Sequence, residues 1–512
     1  MYFNKDICNW KSWGEVFQDK EAFSPLAMAI LQQEGLPPLP LENLSPGTNA
    51  VFRSGDVVIK IYVPAESGYD SLSDWQNEIA VMQRAMELGV CAPKLLCAGE
   101  KQDKYLFRYI VMDFCPGREA GDAFAGMTPA ERRSFAVRIG EVLKKLNQPA
   151  AVAGKDLKKQ AAENEHFDCL HPHLVREIKQ RVAALPLDEE YVLVHGDCTG
   201  ENVLVNGTEP MLIDFADCTL APAWYELPAA VFELFRCDPN AVNAFRGETD
   251  EETFLQKLLD GLCIHQFGGF ILHDFFLREG YALDEVWSLR QLEFILRQKL
   301  FDIGNISDCF SSAVFPDLTG DILTDARILY LANGRTDTLN HVKEVAETAV
   351  ELAERFGAEP EACRTAAILH DLAAVLSRET MLQTAKDLGM ELDPAEEQFP
   401  MLLHQRFGVM LTRERFGITD SDILSAIGHH TTLKKDPSDI DMIVFLADKI
   451  RWDRGTVPPF LPVIEKGLQL SLKAACLEYF DYVTHHSMIL RAHRLMEEAH
   501  TALRRDRAKG TL

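Results

Sequence analysis

The 512-residue chain has no closely spaced cysteine pairs, no basic excess and no long unbroken apolar run, and each absence removes a class of protein. Its 12 cysteines stand singly, with no C-x-x-C pair and no regular spacing. Neither a disulfide framework nor a zinc knuckle is expected, and the reducing cytoplasm is the compartment that fits. Lys and Arg number 52 against 78 Asp and Glu, a formal charge of -26. Binding a nucleic-acid backbone requires clustered cations, so no nucleic-acid partner is expected. The most apolar stretch, Leu258 to Phe276, is interrupted by Asp260, His265, His273 and Asp274. Such residues are costly in hydrocarbon, so the stretch predicts a buried helix and no membrane association. Met1 to Cys8 lacks the basic, apolar and small-residue succession of a signal peptide. No internal repeat or low-complexity run is found. What remains is an ordinary globular composition, 47% hydrophobic and 25% charged, at a length that suggests about three folding units.

Residues 50–63 alternate and then run apolar around Ser54-Gly55-Asp56, the pattern of a hairpin. Ser73 to Leu88 has helical spacing and stops at Gly89. Tyr109 to Phe114 predicts a further strand before the break at Pro116-Gly117. From about 128 to 186, and again from 219 to 309, the pattern is helical, with two short strands between them joined by Asn206-Gly207. Ser311 to Asp325, with Pro316 and Gly320, has no strong period and reads as a linker. Beyond it nearly every segment predicts helix. In Thr338 to Phe356, Val342, Val345, Ala346, Ala349, Leu352 and Ala353 share one face, and Gly357 ends the run.

A phosphoryl-transfer centre needs a carboxylate at the attacking hydroxyl, metal ligands beneath the triphosphate and a lysine on its oxygens. The run Val192-Leu193-Val194-His195-Gly196-Asp197, followed by Asn202 and by Leu212-Ile213-Asp214-Phe215, supplies the acidic part. Asp197 would orient the acceptor hydroxyl, and Asn202 and Asp214 would hold magnesium. Lys60 and Glu78 have the spacing of the ion pair that positions phosphates in kinases. Ser45 to Asn49 is a weaker candidate for a phosphate-covering turn. With His-Gly-Asp in place of His-Arg-Asp, residues 25 to 310 resemble the aminoglycoside phosphotransferase and choline kinase family. The resemblance implies that Asp197 is the catalytic base, that Asn202 and Asp214 bind magnesium, that ATP is the donor and that a small molecule accepts the phosphate. It also notes an acidic residue at Asp217.

Downstream stand His341, His370-Asp371, His404, His430 and Asp448. Imidazole and carboxylate ligands suit divalent transition metals, and an aspartate can be shared by two of them. Asp448 lies on the apolar face carrying Ile440 and Val444, where an unpaired carboxylate is costly. His273-Asp274 repeats the local pattern without partners and reads as structural, while His485, His486, His493 and His500 read as solvated positions of a charged C-terminal helix. The order His, His-Asp, His, His, Asp resembles the HD-domain metal phosphohydrolases. More narrowly, Leu402-Leu403-His404, Ala426 to Thr432 and Phe445 to Ile450 resemble the bacterial symmetrical diadenosine tetraphosphate hydrolases over about 325 to 500. The resemblance implies that His341, His370, Asp371 and Asp448 hold one metal and that Asp371 bridges to a second held by His404 and His430. The metals would be iron, with manganese the alternative, activating water for attack on a phosphorus of the polyphosphate, with Asp371 central to catalysis and two ADP as products. Departures stand at Ala374, where the family has lysine, at Gln405 and Leu433, where it has glycine, and at His429.

The expected architecture is therefore an α+β bilobal protein-kinase-like domain over 1–310, with its N-lobe at about 25–120 and its C-lobe at about 121–310. A linker at 311–325 and an all-α HD domain at 326–512 follow. The expected function is a bifunctional enzyme, a small-molecule O-phosphotransferase joined to a two-metal nucleotide hydrolase, with small-molecule and nucleotide substrates as partners. The alternative is a phosphotransferase whose HD domain binds a nucleotide as a regulator or hydrolyses another phosphate ester. Nothing in the sequence sets the oligomeric state.

Overall fold

The computed structural model describes residues 1–45, 47–150, 154–187, 190–301, 306–310, 313–452 and 456–510. By packing, the chain forms two compact units. The first gathers Met1–Asp168, Arg176–His273 and Lys299–Phe301; the second gathers Cys169–Val175, Asp274–Gln298 and the described part of Asp302–Leu512. The units interleave along the chain, where the sequence suggests one boundary at 311–325. Of that stretch, 311 and 312 lie outside the described residues, and helix Ile322–Ala332 begins within it.

In the first unit β1 (Glu42–Asn43), β2 (Ala50–Ser54), β3 (Val57–Ile61), β4 (Leu95–Gln102) and β5 (Leu106–Asp113) form an antiparallel sheet in the order β1-β2-β3-β5-β4. The expected hairpin is present, turning at Gly55. Alternation along β3 assigns its two faces. Val57, Ile59 and Ile61 enter a core with Phe23, Phe52 and Phe107, which leaves Val58 and Lys60 on the other side. Helix Lys20–Gln33 closes the core side because Phe23, Leu26, Ala27, Ile30 and Leu31 recur at helical spacing and are all buried, and Asp19 caps it by accepting from the Ala22 N–H. Each large side chain so buried contributes about 1.5–3 kcal/mol.

The rest of this unit is mainly helical, with short strand pairs at its functional end. Helix Pro129–Leu146 starts with a reciprocal Thr128–Glu131 capping box and Pro129 in its first turn. β6 (Arg118–Glu119) pairs with β8 (Val203–Asn206), which turns through Gly207 into β9 (Glu209–Leu212); β7 (Val192–Val194) pairs with β10 (Thr219–Ala221). Leu258 to Phe276 is two helices, Glu251–Ile264 and Gly268–Arg278, where the sequence predicts one. His265 is extended at the break and its Nδ1 accepts the Phe267 N–H, replacing a helical bond.

The second unit has no strand among its described residues. Helix Thr336–Phe356 buries the predicted face, Val342, Val345, Ala346, Ala349, Leu352 and Ala353, and ends at Gly357 in the left-handed region. It packs on Pro360–Leu369 and Asp439–Ile450 around a continuous aliphatic core. Among the described residues, no helix is long and apolar enough to cross a membrane.

Candidate functional site

In the first unit Lys60, on the central strand β3, is buried and holds Glu78 of helix Leu72–Glu87 at 2.9 and 2.8 Å from the two carboxylate oxygens. Tyr62 donates to the same carboxylate. Lys60 Nζ also lies 2.8 Å from Asp214 Oδ1. Burial opposes the lysine's charge, but Asp214 and Glu78 outweigh it and raise its pKa. Asp214 has φ 58, a left-handed conformation uncommon for an aspartate, immediately after the strand that returns from the Asn206-Gly207 turn.

The loop before it is braced on both sides. His195 Nδ1 accepts the Asp197 N–H at 3.3 Å, and its Nε2–H donates to the Ile213 carbonyl at 3.0 Å, joining the loop to the segment that carries Asp214. Gly196 has φ 77, and a side-chain carbon there would fall 2.8 Å from the Asp217 carbonyl oxygen, so only glycine fits. Asn202 donates to Asp197 Oδ2 at 2.6 Å. Burial, followed by Asp217 and Asp214, pushes Asp197 up to about 7, with Asn202 opposing. A carboxylate tuned to neutral pH is suited to accept a proton from an attacking hydroxyl. Asp217 accepts from Gln266 Nε2 at 2.8 Å. Sequence reasoning missed Glu226, a buried carboxylate that accepts the His195 N–H at 2.5 Å and the Gly196 N–H at 3.2 Å. Its segment carries no spacing signal that could have found it. In the candidate phosphate turn Pro46 lies outside the described residues.

In the second unit five helical segments bring the six predicted ligands together. His341 lies within its helix, His370 and His430 end theirs, His404 opens one, Asp371 follows His370, and Asp448 sits in the last two turns of Asp439–Ile450. His341 Nε2 is 3.2 Å from Asp448 Oδ1, and His370 Nε2 is 3.8 Å from the same atom. Asp371 turns Oδ2 to His370 at 3.7 Å and Oδ1 to His404 and His430 at 3.3 and 3.7 Å. In two groups, His341-His370-Asp448 and His370-Asp371-His430, one ligand atom per residue lies within 4.8 Å of the others.

Each imidazole is oriented by a backbone carbonyl, local for His370, His404 and His430 and from another helix end for His341. Nδ1 of His370 and of His430 lies 2.7 Å from the carbonyl three residues earlier, Nδ1 of His404 makes the same bond to Met401, and that of His341 meets the Arg451 carbonyl at 3.0 Å. A ring that donates from Nδ1 presents a bare Nε2, the tautomer of a metal ligand. With both rings neutral in that tautomer, His404 Nε2 and His430 Nε2 face each other at 2.8 Å as two lone pairs, and His370 Nε2 is buried without a hydrogen-bond partner. Two lone pairs at that distance repel unless a cation lies against both, so the donor set fits divalent metal. Burial opposes ionisation of Asp371, yet the rings of His370, His404 and His430 around it hold its carboxyl well below the usual range.

Two families match the chain. The phosphotransferase enzyme family covers residues 45–261 and the HD domain covers 338–453. A symmetrical bis(5'-nucleosyl)-tetraphosphatase of Bacillus subtilis (strain 168) is 33% identical over 140 residues, 27% of this chain and 73% of that protein. Through its C-terminal region the chain belongs to this HD-domain family. An uncharacterized protein of Lactococcus lactis subsp. cremoris is 42% identical over 118 residues, 23% of the chain, which spans 60% of that relative's length. The crystal structure of a predicted HD superfamily hydrolase involved in NAD metabolism from Clostridium acetobutylicum is 28% identical, with a TM-score of 0.33, covering 37% of this chain and 99% of that one. The chain thus joins a kinase-like phosphotransferase fold to a helical HD domain.

Within the HD domain the departures from the resembling hydrolases have structural consequences. Leu433 is fully buried with φ 58, a left-handed backbone that favours glycine. Gln405 is buried and its Oε1 lies 3.4 Å from both the Thr431 N–H and the Thr432 hydroxyl. Ala374 stands in the turn after Asp371, donating its N–H to the Asp371 carbonyl. Lys449 also went unread, because a lysine beside Asp448 looks solvated; its Nζ contacts Asp448 Oδ2 at 2.6 Å and the His430 carbonyl at 3.1 Å. The His273-Asp274 pair joins neither converging group, and Asp274 pairs with Arg278. The expectation for the C-terminal histidines needs correction. His485 and His486 are exposed at the end of Leu472–His485, but His493 is buried 3.6 Å from Glu396, and His500 meets Asp481 at 2.8 Å.

Proposed function

We propose that the HD domain splits a dinucleoside polyphosphate symmetrically, diadenosine tetraphosphate into two ADP, and that the kinase-like domain transfers a phosphoryl group from ATP to a small-molecule hydroxyl. The observation that carries the first half is the set of four imidazoles turned Nε2-inward around Asp371 and Asp448. His341, His370, Asp371 and Asp448 would hold one divalent metal; Asp371 would be shared with a second held by His404 and His430. Iron is the favoured metal and manganese the alternative. Bound there, the ions would supply Lewis-acid activation of water and of phosphoryl oxygens. The backbone carbonyls behind the rings keep the ligands aimed. Lys449 steadies Asp448 by holding its outer oxygen. Water adds to one central phosphorus, the central P–O bond breaks, and the second ADP departs with that electron pair.

In the kinase-like domain, Asp197 would take the acceptor's proton, Asn202 and Asp214 would hold magnesium, and Lys60, positioned by Glu78, would exchange Asp214 for phosphate oxygens. Magnesium would supply charge neutralisation between the phosphates. A second reading, an HD domain that binds nucleotide as a regulator, is favoured by Ala374, Gln405 and Leu433 at positions where the resembling hydrolases differ.

The test is incubation of iron- or manganese-loaded protein with diadenosine tetraphosphate, with products resolved by anion exchange. ADP as the sole product, lost in Asp371→Ala, is expected. ATP plus AMP would overturn the symmetrical assignment; tight nucleotide binding without turnover at full metal occupancy would establish the regulatory reading. An acceptor screen with labelled ATP, controlled by Asp197→Ala, tests the kinase-like domain.

A further inference from the structure

The second unit contains a cavity of about 660 Å³ that none of the six metal-site side chains lines. Part of its wall comes from His171, within the phosphotransferase match, and from residues 280–287, which lie outside both family matches. The rest comes from one face of His404–Phe416, from Ser421–His429 and from the segments around Glu391 and His493. Two of the departures noted above, Gln405 and His429, meet here.

The polarity of the wall restricts the ligand. Its buried carboxylate Glu396 is already neutralised by Arg406 at 2.9 Å, and half-buried Glu285 by Arg413 at 2.7 Å. Arg406 is also fixed over the Trp287 ring, 3.9 Å from its centroid. Asp284, Glu391 and Asp422 are exposed carboxylates on the lining, where Lys435 is exposed as well and Arg494 is paired with Glu498 at 3.8 Å. A polyphosphate would meet net negative charge. The polar groups left for a ligand are uncharged. Gln405 spends its Oε1 on Thr431 and Thr432, and its Nε2 has no partner among the described residues. His429 Nδ1 bonds the Ser425 carbonyl at 2.7 Å, so Nε2 is its remaining ring nitrogen. His171 Nδ1 accepts the His173 N–H, and burial holds that ring down to about 4, neutral with an Nε2–H to give. Val409, Met410 and Leu424 supply apolar surface between them. An apolar slot with a few fixed donors and an acceptor is the ordinary form of a small-molecule site.

We propose that this cavity is a second binding site, separate from the metal shell, for an uncharged nucleoside, whose flat base lies against Val409, Met410 and Leu424 and presents its donor and acceptor edge to Gln405, His429 and His171. Occupancy would reach the metal centre by a short route, because Gln405 bonds Thr431, whose hydroxyl lies 3.4 Å from His404 Nε2.

The test is calorimetric titration of the full-length protein with adenosine after chelator treatment, so that the metal centre takes no part. Adenosine is expected to saturate a site that Met410→Trp fills and His171→Leu weakens at least about tenfold. Both variants should keep the wild-type melting profile and metal uptake. Ribose 5-phosphate should not bind there. Absence of saturable adenosine binding would overturn the proposal, as would affinity unchanged in both variants or ribose 5-phosphate competing equally. His171→Leu carries the test alone if Met410→Trp fails to fold. None of these readouts depends on hydrolysis, so failure of the hydrolase reading is separately visible.

Discussion

In the kinase-like unit Lys60 lies within 2.9 Å of both Glu78 oxygens and 2.8 Å from Asp214, so its buried charges are balanced by protein alone. In the HD unit His370 Nε2 is buried without a hydrogen-bond partner, and His404 and His430 turn bare nitrogens on each other. On the proposed reading both centres handle phosphate, but the first is complete as a folded object and would exchange partners when substrate arrives. The second is a ligand set whose repulsions only a cation relieves, so its metal binding is coupled to its stability.

The largest expected effects separate the two chemistries. Asp371→Ala should lower hydrolysis by about 10³-fold or more and leave phosphotransfer intact, while Asp197→Ala should lower phosphotransfer by roughly 10²–10⁴-fold and leave hydrolysis intact. Parallel assays of both activities decide it, and any cross-effect would break the comparison. Next, Lys60→Met leaves Glu78 buried and unpaired, and should destabilise the first unit by about 3–5 kcal/mol in denaturant unfolding. Restoring neutrality with Glu78→Leu in the same chain should recover part of that loss.

Metal removal should then act on the other side. Chelation is expected to lower HD-unit stability by about 3 kcal/mol at metal concentrations a hundredfold above Kd, with the kinase-like transition unmoved in calorimetry. A pH effect belongs to the first unit. His265 is fully buried and stacked on Tyr225, and burial lowers it from 6.5 to about 3. The unfolded chain therefore binds the extra proton first. Stability contributed by the neutral ring is fully present above 6.5 and is lost as pH falls toward 3, by roughly 2 kcal/mol on reaching about pH 4.5. His265→Phe should flatten that limb. The smallest effect concerns Leu433. Both truncations lose buried side chain, but Leu433→Gly relieves the positive φ and should be about 1 kcal/mol less destabilising than Leu433→Ala, the reverse of the usual order.

Much of each centre was legible because its chemistry is written in short runs. His195-Gly196-Asp197 with Asn202 and Asp214, and His370-Asp371 with Asp448, combine residue type with apolar flanks that announce a strand end or a helix face. Glu226, Lys449 and the cavity side of Gln405 were not legible, because their roles are hydrogen bonds to backbone or to residues distant in the chain. The same limit misled the reading of His493 and His500, which look solvated by composition but meet Glu396 and Asp481. In Leu258 to Phe276 hydropathy was read correctly as burial, but one helix was expected where His265 divides two.

By itself the sequence determined the two fold types, the register of the amphipathic faces and the identities of the candidate ligand side chains, since periodicity and motif spacing act over a few residues. Only the tertiary structure decided that six candidate ligands from His341 to Asp448 converge, that Glu226 braces the loop from His195 to Asp197, and that His171 and Trp287 line a cavity beside Gln405. Those outcomes depend on which buried polar atoms find partners, and that is settled by packing between segments far apart in the chain.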